Sequence, residues 1–356
     1  MQSTPNTFRH WHMPKSHEVG NNHVEFIKIL QGPTWITIEG KDNSRQRAIV
    51  TLLHGNEPSG LKAIHRFLQE EITPATNLGI FIVSVNAALL QPYFSHRYLP
   101  DETDFNRCFP NTLNNKSSNA QELLAIKIID TLLEYEPEAI VDTHNTSAHS
   151  DAFAVAVSSR KEVLQLSQLF TNKLVVLDQE LGTLIEQDLN CPVVTIEFGG
   201  FLDPKADTLA LDTLQNFVSS DSLFNAAISQ IQLLEKPLRL EISKSAHLHY
   251  SASVQDEADI TIYNTIDQMN FSLIKADTAI GWAGKNGIKD LFVKAVNGKN
   301  SCPELFLEQN GFLTTRVPMT IFMATTDAHI ASNDCLMYLC PEDGIERIES
   351  SFDESE

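Results

Sequence analysis

The sequence predicts an α/β protein with a smaller, mostly β second domain toward its C-terminal end. Three observations carry that prediction. Strand-like and helix-like runs alternate from about residue 45 to residue 235. A Lys236-Pro237 step then interrupts the chain. Beyond it, short β-type runs are separated by Asn, Gly, Asp and Pro, and helical periodicity is weak.

The elements follow in order. Arg47–Leu53 is a short apolar run of strand type, and Pro58 opens an amphipathic helical stretch to Glu71. Gly79–Val85 is a second β-type run. Asn119 and Glu122 have capping-box spacing, and Leu123, Leu124, Ile128, Ile129, Leu132 and Leu133 continue it with helical periodicity. Ala139–Thr143 reads as a strand reaching His144. Ala152–Val157 and Leu174–Leu177 flank a helical segment around Val163–Phe170. Val193–Phe198 is a strand ending in Gly199-Gly200, and two helical segments are expected from there to about Leu234. Further strands are expected at Arg239–Ile242, Asp259–Tyr263, Leu291–Val296 and Thr320–Ala324. Glu342 to Glu356, rich in acids, is expected to be a solvated tail.

Composition bounds the function. The 356 residues carry a formal charge of −20, and the first hundred residues are slightly basic, so the acid is concentrated afterwards. Such a surface repels phosphate backbones and makes nucleic acid a poor partner. No apolar run approaches the roughly 18 residues of a membrane span. The polar start lacks the marks of a signal peptide. Five scattered cysteines without a CxxC pair read as reduced thiols, which fits a cytoplasmic protein. No G-x-S-x-G elbow and no P-loop occurs, so serine-hydrolase and NTPase readings have no support.

Three strand ends carry polar residues that a plain core would not place there. The first gives His54-Gly55-Asn56-Glu57, where an imidazole and a carboxylate leave the strand together just before a helix. The second gives Asp142-Thr143-His144-Asn145, and the third gives Glu197-Phe198-Gly199-Gly200. In open α/β sheets the functional crevice lies beyond the carboxyl ends of the strands. Two His and one Glu are a zinc ligand set that leaves a coordination position open, as catalysis requires. A further carboxylate can take a proton from metal-activated water. Asp142 sits two residues before His144 and can orient it from behind. Taken singly, each of these residues has a bland structural reading; the ordered combination is what points to a metal site.

In these motifs the chain resembles the succinylglutamate desuccinylase/aspartoacylase family, a branch of the zinc carboxypeptidase-like hydrolases. His54-Gly-Asn-Glu57-Pro-Ser-Gly60 resembles the family's His-Gly-x-Glu-x-x-Gly. Arg97-Tyr98 with Asp104-Phe105-Asn106-Arg107 resembles its arginine block. Asp142-Thr-His144-Asn145 and Ile196-Glu197-Phe-Gly199 resemble the second metal motif and the catalytic Glu motif. The resemblance covers about residues 47–200. It implies a mixed sheet flanked by helices, followed by a smaller mostly β domain. On that basis the expected division is 1–44, an N-terminal extension with strands of the catalytic domain; 45–237, a zinc hydrolase catalytic domain; 238–341, the β-rich domain; and 342–356, the acidic tail.

The resemblance also implies roles. His54, Glu57 and His144 would bind one Zn²⁺. Glu197 would be the general base, and Arg97 would polarise the scissile carbonyl. Asn106 and Arg107 would hold a substrate carboxylate, a task suited to the planar guanidinium fork. The partner implied is a small molecule bearing a carboxylate, with no nucleic acid and no membrane; a homo-oligomer is left open. The bland alternative for Arg97 and Arg107 is salt bridging with Asp101, Glu102 and Asp104.

Two departures stand out. The acidic insert Pro100-Asp101-Glu102-Thr103 lengthens the arginine block. Residues 178–190 hold no Arg or Lys, where aspartoacylases place an Arg for an acidic substrate side chain. The expected substrate is therefore an N-acyl amino acid or short peptide with a neutral or basic side chain. A carboxypeptidase-type metallopeptidase and a noncatalytic metal-containing binding module are the competing readings. Other candidates are assigned structural roles: His10, His12, His17 and His23 as exposed, His247 and His249 as a strand pair without a partner, Gly281, Gly284 and Gly287 as turns, and Cys108 as a buried thiol.

Overall fold

The computed structural model describes residues 7–111, 119–178, 180–293 and 299–348. The first residues of the chain, the last three of the run at 291–296 and the end of the acidic tail lie outside the described residues. The chain forms two compact units. The first comprises Met1–Asn145, Ala152–Ile231 and Ile348–Glu356, and the second Thr146–Asp151 and Gln232–Arg347.

The first unit is built on one mixed sheet. Its strands are β1 (Arg9–His12), β2 (Thr34–Ile38), β3 (Asp42–Thr51), β4 (Thr76–Ile82), β5 (Ile140–Thr146), β6 (Phe153–Ala156), β7 (Lys173–Val176) and β8 (Val193–Gly200). They lie in the order β1-β2-β4-β3-β5-β8-β6-β7. β3 is parallel to both β4 and β5, while β2 runs antiparallel to β4 and β6 antiparallel to β8. The centre of this sheet is buried on both faces. Every residue of β5 and β8 is buried, as is the second half of β3 from Ala48 to Thr51. That explains why these strands read as continuous runs rather than alternating ones.

Helices α1 (His23–Leu30), α2 (Ser59–Gln69), α3 (Val85–Leu89), α4 (Ala120–Tyr135), α5 (Lys161–Ser167) and α6 (Pro204–Ser219) complete the unit. The α2 residues Leu61, Ile64, Phe67 and Leu68 are buried at helical spacing, each worth about 1.5–3 kcal/mol relative to exposure. Asn119 caps α4 by accepting the Glu122 backbone N–H at 2.9 Å. Asp203 caps α6, with Pro204 in its first turn.

The chain from Ser219 to Leu234 differs from expectation. It holds one strand, Ile231–Glu235, and no second helix. The reason is a competition for carbonyls. Arg47 Nη1 donates to Phe217 O and Ser220 O at 2.6 and 2.7 Å, and Arg45 Nη2 donates to Asp221 O at 2.7 Å. A continuing helix would need those same acceptors for its own backbone N–H groups.

The second unit holds two five-stranded sheets around one core. One sheet orders Leu273–Ile274, Met319–Phe322, Met337–Pro341, Leu238–Ile242 and Leu291–Val293. The other orders Leu248–Ser251, Ile260–Tyr263, Ala279–Ala283, Phe312–Thr315 and Phe306–Gln309. Leu240, Ile260, Ile262, Leu313, Ile321 and Leu339 meet in the core between them. Gly281 lies inside a strand rather than a turn, since Ala279–Ala283 pairs on both sides. The described part of the acidic tail is also ordered. Ile345–Ile348 is a strand beside Ile231–Glu235, whose apolar residues give the tail something to pair with.

Candidate metal centre and active site

The site is assembled at the ends of β3, β5 and β8, which are neighbours in the order β3-β5-β8. At the end of β3 the chain turns sharply. Leu52 is buried yet adopts a left-handed φ of 59°, a conformation that costs a non-glycine residue roughly 1–2 kcal/mol. Ser84 holds this turn twice, its N–H on Leu52 O at 2.7 Å and its hydroxyl on Leu53 O at 2.8 Å. His54 and Glu57 follow on the turn, and α2 starts immediately after. Both glycines of His54-Gly-Asn-Glu57-Pro-Ser-Gly60 are required by close approach. A Cβ on Gly55 would stand 2.7 Å from Ala88 N and His96 O, and one on Gly60 would stand 2.1 Å from Thr143 Oγ1.

His54, Glu57 and His144 converge, all three buried, with one ligand atom from each lying within 4.8 Å of the others. The Nδ1 atoms of the two imidazoles face each other at 3.2 Å. The Glu57 carboxylate joins them, with Oε1 2.9 Å from His54 Nδ1 and Oε2 2.7 Å from His144 Nδ1. Behind each ring stands a carboxylate. Asp104 Oδ1 is 2.7 Å from His54 Nε2, and Asp142 Oδ2 is 2.9 Å from His144 Nε2. Thr195 on β8 donates its hydroxyl to the same Asp142 oxygen at 3.1 Å. An imidazole whose far nitrogen is fixed by a carboxylate presents its near lone pair in a defined direction, the arrangement of a metal-bound histidine.

The charge balance points the same way. Burial opposes ionisation of Glu57, yet His54 and His144 hold its carboxyl well below the ordinary carboxylate range. Burial likewise opposes a charged His144, yet Asp142 and Glu57 hold it well above the ordinary imidazole range. Four carboxyl groups, Glu57, Asp104, Asp142 and Glu197, stand around the site against the one guanidinium of Arg97. The donor set of two imidazoles and one carboxylate thus fits a divalent ion of the zinc type. It is the only such group of three among the described residues.

Glu197 lies inside β8, opposite Phe153 of β6, and is 9% exposed. Its Oε2 is buried with no hydrogen-bond partner among the described protein groups. Burial pushes its carboxyl up to about 7, against the pull of His144, with Glu57 adding to the rise. A buried carboxyl that ionises near neutrality, with a free oxygen, is suited to exchanging protons with a reacting group.

Residues 44–219 match the model of the succinylglutamate desuccinylase/aspartoacylase catalytic domain. The chain belongs to the succinylglutamate desuccinylase/aspartoacylase family. The family is one of deacylase-type hydrolases. Solved structures share the fold. One is a succinylglutamate desuccinylase/aspartoacylase from Rhodobacter sphaeroides, 14% identical, with a TM-score of 0.54 over 90% of this chain and 88% of that one. Murine aminoacylase 3 is 14% identical, with a TM-score of 0.53 over 87% and 98%. The product-bound ectoine utilization protein EutE from Ruegeria pomeroyi is 15% identical, with a TM-score of 0.52 over 88% and 85%. No curated protein sequence matches the chain. No described helix is long and apolar enough to cross a membrane.

The family's arginine block lies beside the triad. Arg97 is partly exposed; Nη1 donates to Glu57 Oε1 at 2.9 Å, and Nε and Nη2 donate to Asp104 Oδ2 at 3.1 and 3.0 Å. It therefore joins a triad carboxylate and the carboxylate behind His54. Asn106 and Arg107 lie on the short helical turn Phe105–Arg107, capped by Asp104. Neither makes a hydrogen bond to the triad. Arg107 Nη1 donates to Asn106 O at 2.8 Å, and Asn106 Oδ1 accepts the Leu184 N–H at 3.4 Å. That last bond brings the 178–190 segment to the block. Phe109 N–H donates to Gly182 O at 3.1 Å, and Gln187 Nε2 to Pro110 O at 3.0 Å. Glu186 is taken up by its own turn, accepting from Leu181 N, Gly182 N and Thr183 Oγ1.

His10 and His12 lie on β1, and the His23 ring packs at a tilt against Phe94, centroids 5.4 Å apart. His249 is an exposed strand residue. Cys108 is buried, and burial raises its thiol. Sequence reasoning missed Thr195 as a partner of Asp142; it offered Asp104 as a salt-bridge partner of arginine, which Arg97 bears out, but not as the carboxylate behind His54. The signal for Asp104 was its place in the Asp104-Phe-Asn-Arg107 motif; none existed for Thr195.

Proposed function

We propose that the chain is a zinc-dependent amidohydrolase that cleaves the amide bond of N-acyl amino acids or related small carboxylate-bearing substrates. The observation that carries this reading is the convergence of His54 Nδ1, Glu57 and His144 Nδ1 on one point, each imidazole backed by a carboxylate. When bound there, the ion supplies a Lewis acid and acidifies water. Glu197 takes a proton from the attacking water at its partnerless Oε2 and returns it to the leaving amine nitrogen. Arg97 has N–H donors beyond those bound to Glu57 and Asp104, and these stabilise the oxygen on which charge develops. Arg107, aided by Asn106, takes the substrate carboxylate.

The substrate side chain is neutral or basic in this reading. Residues 178–190 offer no Arg or Lys, and they pack against the Asn106–Pro110 stretch. The test is a panel of N-acyl amino acids and dipeptides, run with the metal quantified by elemental analysis. Release of amino acid from neutral or basic N-acyl substrates, with one zinc per chain, is the expected result. Preference for N-acyl-Asp or N-acyl-Glu would overturn the substrate assignment. Cleavage of dipeptides alone would make the protein a carboxypeptidase-type enzyme.

A further inference from the structure

Helix α2 begins directly after Glu57, and its cap position is Pro58, which supplies no capping oxygen. The missing acceptor comes from another element. Asn145 Oδ1, on β5 next to His144, accepts the Ser59 backbone N–H at 3.1 Å. The same amide donates from Nδ2 to Ser59 Oγ at 2.9 Å and to Gly199 O on β8 at 3.1 Å. The Asn145 backbone N–H reaches Glu57 Oε2 at 3.3 Å. One buried residue therefore touches a triad carboxylate, the first turn of the helix behind it, and the strand that carries Glu197 two residues earlier.

The orientation of that amide is fixed from a distance. Ser59 Oγ donates its hydrogen to Asp207 Oδ1 at 2.7 Å, and the carboxylate can only accept. Ser59 Oγ is left as an acceptor toward Asn145, so Nδ2 and not Oδ1 must face it. Lys62 Nζ pairs with the other oxygen of that carboxylate, Asp207 Oδ2, at 2.7 Å. Asp207 lies on α6, outside the motifs that carry the family resemblance.

We propose that Asn145 is a positioning residue that holds Glu57 and the Glu197 strand in one frame, and that Asp207 acts through Ser59 to set its amide. The proposal rests on the metal-site reading above, but it makes its own claim about metal affinity. Asn145 does not touch the reacting atoms; it fixes the groups that do.

The test is zinc affinity by chelator competition on the full-length protein, below the melting temperature of each variant. Asn145→Asp keeps the acceptor for Ser59 N–H and removes both Nδ2 donors. It is expected to weaken zinc binding by about 10- to 100-fold, the usual range for groups that support metal ligands. Asp207→Ala is expected to weaken it less than tenfold in the same direction. Far-UV circular dichroism confirms that each variant is folded, and Asn145→Gln provides a second amide variant if the first fails to fold. Wild-type zinc affinity in folded Asn145→Asp would overturn the proposal and leave Asn145 only the capping of α2, which this variant keeps. A wild type that binds zinc but cleaves no amide would refute the proposed function alone, leaving the affinity comparison valid.

Discussion

The two imidazoles of the triad are held by carboxylates in opposite ways. His144 and Asp142 are two residues apart on one central strand, and their side chains are 2% and 0% exposed. Thr195 on the adjacent strand fixes Asp142 in turn. His54 sits on a turn, and its carboxylate Asp104 comes from a loop 50 residues later, is 21% exposed, and is shared with Arg97. One half of the site is framework. The other half is a network of loops tied to the arginine assigned to substrate. The strand half can set the position of the metal, while the loop half can couple metal and substrate.

The largest expected effect falls on the strand half. Glu197→Gln keeps the shape of β8 and removes the proton acceptor. Amide hydrolysis is expected to fall by about 10²- to 10⁴-fold, the usual contribution of a positioned acid–base group, with zinc content unchanged. Steady-state kinetics and elemental analysis on the same preparation check both parts. Retained activity would remove Glu197 from the mechanism.

Next come the paired variants Asp142→Ala and Asp104→Ala. Each is expected to weaken zinc binding by about 10- to 100-fold. They should differ in stability. Without Asp142, the buried His144 loses one of its two carboxylate partners at the centre of the sheet, a loss of roughly 3–5 kcal/mol for a buried pair. Without Asp104, a partly exposed loop network relaxes, and about 1 kcal/mol is expected. Urea unfolding of the metal-free proteins reads this difference. Equal losses in the two variants would erase the distinction between framework and loop.

The same distinction governs what could be read from the sequence. The grouping of His54, Glu57 and His144 was legible because strand ends beyond apolar runs carry polar residues, and a turn or strand keeps neighbours in sequence near one another in space. Asp142 was legible for the same reason, two residues from His144. Asp104 behind His54, and Asp207 behind Ser59, were not. Their contacts span 50 and 148 residues and depend on how loops and α6 return to the sheet. The missing helix before Leu234 has the same origin, since Arg45 and Arg47 reach across 170 to 176 residues to take its carbonyls. Local periodicity carries no record of such competitors.

The smallest effect on zinc affinity would come from Thr195→Val, which sharpens the comparison most finely. The hydroxyl donates to Asp142 Oδ2 at 3.1 Å, the same oxygen that faces His144 Nε2. The other Asp142 oxygen is buried without a partner among the described groups, so this bond is part of what keeps the carboxylate aimed at the ring. Valine preserves the shape of threonine and its preference for a strand. Only the hydrogen bond is lost, about 1.5–3 kcal/mol for a bond to a charged acceptor. If the strand half sets the metal position, part of that loss should appear as a several-fold weaker zinc affinity, without a change in the KM for substrate. A rise in KM with unchanged zinc affinity would show instead that the strand half also communicates with substrate, and the division between the two halves would fall.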